Sequence, residues 1–430
     1  MRTDTAREAS ARDHGERGTG PQPAKRPFHE LPGALTRVTA GDIAAGLGAH
    51  ALGRGRAGFV DDVRAYLDAD SAATYSSYRR ALGAALRALD EATDGSRRTV
   101  LLPAFCSSDF LDAVDGVGLD ARRYDVDPET LAADERSLRD ATGEDVVAVV
   151  AVNVLGYGSD VSAMRAIADD ADCFLLEALG YALGASYDDR RLGTYGDVSV
   201  LNFQQGKPIP VGGGMAIGRH PDVTFSDVGR EPAPPNVAAL AGYALVQGPR
   251  RYYAYSRVAA EFDRNTDGKH QMTTHPDAKD DIAYDADTTF ATMSNFQCAV
   301  ARRVFARTRR ERRARARTAA AYATAFSDLP HVRVIRPLRG ISDHQWVRFG
   351  LLVDSYERRN EIAFTLDAHG VGTSRLYDWP KIDGDAFPGA RALQRRILPL
   401  PTHHLVDDAD RERVVDLVAN VCRAYDDRLD

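Results

Sequence analysis

The sequence predicts an α/β fold, with a large domain on a mainly parallel sheet and a smaller C-terminal α+β domain. Three observations predict it. Short apolar runs alternate with helical patterns from Thr99 to Leu201. One of them, Val146 to Val154, is rich in β-branched residues, the pattern of a strand buried on both faces. The alternation breaks at residue 219, and a different order of elements follows Asp328.

In chain order, residues 1–26 are polar, charged and dotted with Gly and Pro, and read as a disordered tail. Asp42 to Ala65 reads as an amphipathic helical arm at the start of a large domain spanning 27–290. Ser76-Ser77 precedes the Ala/Leu-rich run Arg80 to Leu89, which is a helix start signal. Strands are expected at Thr99–Leu102, Ala121–Val126, Val146–Val154, Cys173–Leu176 and Val198–Leu201. Helices are expected at Leu111–Val117 and Met164–Asp172. Residues 219–285 read as an insertion, with an apolar and aromatic helix at Val237–Ala260 and a polar loop over 263–288. The smaller domain is expected to span 291–430. It opens on an arginine-dense helix from Met293 to Phe326, which reads as a solvated face. Strands at Val332–Ile335 and Trp346–Val353 follow, then helices at Arg358–Ala368 and Asp408–Ala424.

Composition removes several function classes. A net charge of −7 and a pI near 5.9 argue against a nucleic-acid binder held by phosphate contacts. The four cysteines are scattered, which suits a reducing cytoplasm and offers no zinc site. No apolar run is long enough for a membrane helix, so no membrane partner is expected.

The chemistry-bearing feature is Lys207. Lysine plus arginine total 55, yet only Lys25, Lys207, Lys269, Lys279 and Lys381 are lysine. Where arginine serves as the general cation, a lysine in a Gly/Pro-rich loop after a strand has two readings: a surface loop residue, or a nucleophile. An amine can lose its proton and attack a carbonyl; a guanidinium cannot.

Around Lys207 the run Leu175-Leu176-Glu177-Ala178-Leu179-Gly180-Tyr181-Ala182-Leu183-Gly184-Ala185 leads through Arg191-Leu192-Gly193-Thr194-Tyr195-Gly196-Asp197 to Phe203. Elsewhere stand Leu102-Pro103-Ala104-Phe105, Asp125-Val126-Asp127-Pro128-Glu129-Thr130, Met293-Ser294-Asn295-Phe296-Gln297 and Arg396-Ile397-Leu398-Pro399-Leu400-Pro401. In order and spacing these resemble the DegT/StrS-type sugar aminotransferases. Those are pyridoxal 5'-phosphate (PLP) enzymes of the aspartate-aminotransferase fold, the type I fold of PLP-dependent transferases. The resemblance reaches from about Phe59 to the C-terminus.

The resemblance implies that Lys207 holds PLP as an imine and shuttles a proton. It places the phosphate at the helix start around Ser77, Tyr78 and Arg79, where free N–H groups favour an anion. Phe105 is the aromatic available to stack on the ring, because Ser107 cannot. Tyr181 replaces a Gln or His near the ring oxygen, and Asn202 replaces a serine near the phosphate. Tyr78 and Arg79 replace small residues. Ala178 stands where the family has the aspartate that pairs with the pyridine nitrogen, which makes the cofactor site degenerate. Glu177 is adjacent but should point to the opposite face of its strand.

The implied function is a PLP-dependent aminotransferase for a nucleotide-linked keto-sugar with an amino-acid donor, assembled as a homodimer. Two alternatives stand beside it: a transamination-deficient binding or regulatory subunit, motivated by Ala178, and a PLP-dependent lyase or dehydratase.

Overall fold

The computed structural model describes residues 23–265, 291–373, 381–382 and 385–426. The arm expected as one helix is two, α1 (Ala40–Ala51) and α2 (Arg56–Tyr66). The break falls at Gly55, whose φ is +130° and where a Cβ would meet Asn295 O at 2.6 Å. Only glycine accommodates that backbone and that approach. Residues 1–22 of the expected tail lie outside the described residues. Its last residues are anchored: Lys25 Nζ donates to Ala368 O at 2.8 Å, and Arg26 pairs with Asp407 and Asp410 at 2.9 Å each.

The large domain continues with β1 (Ser71–Tyr75), α3 (Tyr78–Ala92), β2 (Thr99–Pro103), α4 (Ser108–Gly116), β3 (Asp120–Tyr124) and α5 (Glu135–Ala141). Next come β4 (Val146–Val152), α6 (Val161–Asp170), β5 (Phe174–Ala178), the short β6 (Ser186–Tyr187) and β7 (Arg190–Arg191), then β8 (Val198–Asn202) and β9 (Gly214–Gly218). The main sheet runs β1-β9-β8-β5-β4-β2-β3. The pairings from β8 through β3 are parallel, and β9 is antiparallel to both neighbours. The five expected strands of this sheet are present within two residues at each end. β1 and β9 were not anticipated, because Ser71-Ala72-Ala73-Thr74-Tyr75 and Gly214-Met215-Ala216-Ile217-Gly218 carry little β-branched signal.

The insertion holds two helices where one was expected, α7 (Val237–Leu245) and α8 (Pro249–Asn265), separated by Val246-Gln247-Gly248. Most of the expected 263–288 loop lies outside the described residues. The arginine-dense helix is also two, α9 (Asn295–Phe305) and α10 (Thr308–Ala325). Met293, Phe296, Cys298, Val300, Ala301 and Val304 belong to the large-domain core, whereas Ala319, Tyr322 and Phe326 open a second core. Helix α9 packs on α1 and α2, and α10 carries residues of the second core.

The small domain adds β10 (Val332–Val334), β11 (Ile341–Ser342), β12 (Arg348–Val353), α11 (Tyr356–Ala368), α12 (Pro388–Arg396), β13 (Ile397–Pro401) and α13 (Asp408–Asp426). Its antiparallel sheet is ordered β10-β12-β13, while β11 pairs with β6 of the large domain. No helix among the described residues is long and apolar enough to cross a membrane. All four cysteines are buried.

Asp42 ties the arm to the α9–α10 junction. It completes a capping box with Thr39 and accepts from Arg303 Nε at 2.9 Å and Arg307 Nη2 at 2.7 Å. Burial alone would raise its pKa; the hydrogen bonds from Arg307, Thr39 and Arg303 outweigh burial and hold it well below the usual carboxylate range. A depressed carboxylate contributes stability that is complete above its unfolded pKa of about 3.9 and fades as pH falls below it. Asp42→Asn should therefore cost ~1–3 kcal/mol at pH 7. Urea unfolding should show that difference shrinking as pH drops from 4 toward 2; an equal cost at both ends would mean the charge is not what matters.

Candidate active site

The sheet gathers the site at one edge. β1, β2, β4, β5 and β8 run the same way, and the chain leaves their carboxyl ends at Ser76, Ala104, Asn153, Leu179 and Phe203. In open α/β sheets this is where ligands bind.

Glu177 and Ala178 show how β5 is oriented. Glu177 is fully buried, and its carboxylate accepts N–H groups from Gly193, Tyr195 and Gly196, each at 2.7 Å. Burial raises its pKa, opposed by the charge of Arg219 and by those three backbone donors. Glu177 thus faces the 193–196 turn, as strand alternation requires, and Ala178 takes the other face. Ala178 is 3% exposed and pairs across the sheet with Val152 and Val200. Asn153, buried at the end of β4, reaches the Ala178 carbonyl with Nδ2 at 3.5 Å. The one carboxylate of β5 is therefore committed elsewhere.

Lys207 stands in the loop from β8 to β9. The loop closes on itself through Phe203 N to Gly213 O at 3.0 Å and Gly212 N to Phe203 O at 2.7 Å. Asn202 turns its amide inward: Nδ2 donates to Gln204 Oε1 and Oδ1 accepts from Gln204 N, both at 2.9 Å. Lys207 N in turn donates to Gln204 O at 3.2 Å. The chain before α1 holds the loop from outside, since Thr36 Oγ1 donates to Lys207 O at 2.7 Å and accepts from the fully buried Arg315 at 2.5 Å. Tyr243 of α7 accepts from Thr36 N and donates to Thr36 O. Asn202 thus acts on the loop that carries the lysine.

The Lys207 amine is 3.2 Å from the centre of the Tyr181 ring. Gly180 makes room for it: a Cβ there would be 3.1 Å from Asn202 Cβ and 3.9 Å from Lys207 Nζ. Burial lowers the Lys207 pKa, helped by the charge of Arg348 and opposed by Tyr181 and Asp109. A desolvated amine spends more time unprotonated, the form that attacks a carbonyl. Arg348, Asp109, Thr36 and Asn153 carry no local motif, and sequence reasoning did not single them out.

The helix start lies where Ser76-Ser77 predict it. Ser77 is the N-cap of α3 and takes the Arg80 N–H at 3.2 Å. Tyr78 is 3% exposed, edge-on to Phe110, and its Cα lies 2.9 Å from where a Gly214 Cβ would sit. Burial pushes its hydroxyl pKa far up, reinforced by Asp109, Cys106 and Tyr181, so Tyr78 remains a neutral phenol. Arg79, expected as a charge for phosphate, is paired with Asp109 at 3.0 Å and Asp112 at 3.4 Å. Phe105 is 1% exposed within the large-domain core. Ser107 caps α4 and bonds Asp109.

The chain matches the DegT/DnrJ/EryC1/StrS aminotransferase family over residues 42–224 and 270–419. It belongs to that family. It is 32% identical over 130 residues to the L-glutamine:2-deoxy-scyllo-inosose aminotransferase of Micromonospora echinospora, a match that spans 30% of this chain and only 31% of that relative. The dTDP-3-amino-3,4,6-trideoxy-alpha-D-glucose transaminase of Streptomyces venezuelae is 24% identical over 94% of this chain and 97% of its own length. The solved sugar aminotransferase CalS13 of Micromonospora echinospora superposes with a TM-score of 0.68 at 19% identity, covering 90% of this chain and 99% of that one, which shows the shared fold.

The family points to PLP as the cofactor. The aldehyde end fits, because Lys207 offers a buried, activated amine. The ring-nitrogen end does not: Ala178 presents a methyl group, and Glu177 is turned away and saturated. At the phosphate end, Arg79 is neutralised by two aspartates and Tyr78 fills the helix start. The lysine carries the fit.

Proposed function

We propose that this chain is a PLP-dependent aminotransferase that acts on a nucleotide-linked keto-sugar with an amino-acid donor. The observation that carries the reading is the Lys207 amine, buried against Tyr181 with its pKa lowered. Family membership and the full-length match to a sugar-nucleotide transaminase support the substrate class. PLP would supply the electron sink for the substrate carbon. Lys207 Nζ would hold it and carry the proton, and the Thr36–Arg315 pair would keep the lysine loop in place. The test is borohydride reduction after PLP addition, with peptide mapping. The label is expected on Lys207 and absent from Lys207→Arg; a label on any of the other four lysines instead, Lys269 and Lys279 included, would overturn the assignment.

A homodimer is part of the proposal. Helix α7 packs on the core through Val237, Leu240, Tyr243 and Ala244 and leaves Ala238, Ala239, Ala241 and Leu245 exposed, an apolar face open to a second copy. Light scattering at micromolar concentration should give twice the chain mass, and a clean monomer would count against it.

Ala178 favours a second reading, in which the chain holds PLP but transaminates poorly and works as a binding or regulatory subunit. A hydrogen bond to a charged group is worth roughly 1.5–3 kcal/mol, about ten- to a hundredfold in affinity. Ala178→Asp should therefore tighten PLP at least about tenfold and speed a single-turnover reaction with an amino donor. A half-reaction seen only in the variant would favour the second reading. If the wild type already turns over and the variant gains nothing, the first reading stands.

A further inference from the structure

Arg348 opens β12, whose side chains alternate between the two cores. Phe349, Leu351 and Val353 belong to the small-domain core. Arg348, Gly350 and Leu352 therefore face the large domain. Leu352 sits in the large-domain core, and Gly350 N donates to Tyr157 OH at 2.8 Å.

Arg348 is also next to Lys207. Its Nη2 lies 3.8 Å from the position a side chain on Gly206 would take, and Gly206 has φ +76°. Its positive charge acts on the Lys207 amine, alongside the Tyr181 hydroxyl and Asp109.

The arginines of this chain pair repeatedly with aspartates, as Arg307 does with Asp42 and Arg165 with Asp197. Arg348 has no carboxylate partner among the described residues, and its Nε is buried with no acceptor. A buried donor left unpaired carries the full desolvation cost, and a charged one more so. An incoming anion relieves it.

We infer that Arg348 is the anion subsite of the cleft and takes the carboxylate of the amino-acid co-substrate. This rests on the aminotransferase reading above. The guanidinium fork matches a planar carboxylate with two parallel hydrogen bonds. In an amino acid the carboxylate is bonded to the carbon that bears the amine, so a donor reacting beside Lys207 brings its carboxylate to this neighbourhood. A sugar nucleotide separates its diphosphate from the keto carbon by the sugar ring, and Asp109 close by opposes a more highly charged group.

Succinate, which has neither amine nor carbonyl, is a probe that works without PLP. Titration calorimetry on the full chain should show succinate binding that weakens about tenfold or more in Arg348→Gln. Arg348→Lys should retain part of it. The pH profile of Lys207 methylation by formaldehyde and cyanoborohydride, read by peptide mass, gives a second measurement. Succinate should move its midpoint upward by neutralising Arg348, Arg348→Gln should do the same without succinate, and the two effects should not add.

Absence of succinate binding to the wild type, or equal binding by Arg348→Gln, overturns the subsite. An Arg348-dependent response to inorganic phosphate or a nucleoside diphosphate, with none to succinate, overturns the carboxylate assignment. Failure of Lys207 to capture PLP would sink the proposed function and leave the succinate result unaffected, so the two failures are distinguishable.

Discussion

The site is organised around a carboxylate that touches no substrate. Glu177 takes three backbone N–H groups of the 193–196 turn at 2.7 Å each, in a fully buried position. A carboxylate is the one side chain with enough acceptor capacity for three converging donors. Arg219 answers its charge and also donates to Gly196 O at 3.0 Å. The clamp sets which face of β5 is which, so Ala178 lies opposite. It also fixes the turn that leads into β8, and β8 delivers the lysine loop. Gly193 and Gly196 are required there: a Cβ on Gly193 would lie 2.3 Å from Leu179 Cδ1, and one on Gly196 2.5 Å from Leu175 O. Replacing Glu177 would leave three buried donors unpaired in the segment that aims the catalytic candidate.

A second layer holds Lys207 from outside the sheet. Thr36, α7 and α10 converge on its carbonyl through Tyr243 and Arg315. Arg315 is 1% exposed, and burial lowers its pKa against the pull of Glu311 and Tyr243. A guanidinium kept in the interior has to be hydrogen-bonded, and here the bonds go to Leu35 O and Thr36 Oγ1. The N-terminal segment, the insertion and the small domain thus meet at one backbone atom of the lysine loop. Domain geometry and amine position are coupled through it.

The sequence made part of this legible. Continuous apolar strands such as Val146–Val152 are visible because both faces are buried, and the order of motifs from Leu175 to Lys207 located the lysine. β1 and β9 were invisible because small residues and glycine there serve close packing: a Cβ on Gly214 would meet Tyr78 Cα at 2.9 Å. The helix break at Gly55 is set by tertiary approach, which periodicity does not register. Arg79 looked like a phosphate ligand until Asp109 and Asp112, a helix away, claimed it. Arg348 could not be found at all, since nothing local separates it from 49 other arginines and its meaning lies in the partner it lacks.

The contrast between the two ends of the site is itself an argument about what the chain retained. Capturing a carbonyl needs one amine, a low-dielectric setting and a fixed loop, and all three are present at Lys207. Driving a proton off a substrate carbon needs in addition a charge that stabilises the carbanion, which the family supplies through an acid opposite the pyridine nitrogen. Here that place holds a methyl group, while Asp109 sits near the lysine already paired with Arg79. The charges in the pocket are therefore arranged around the amine and the Arg79–Asp109 pair rather than along the pyridine axis. The chemistry this pocket can support is decided by how much of the remaining work its cations and phenols, Arg348, Tyr181 and Tyr78 among them, do in place of the missing acid.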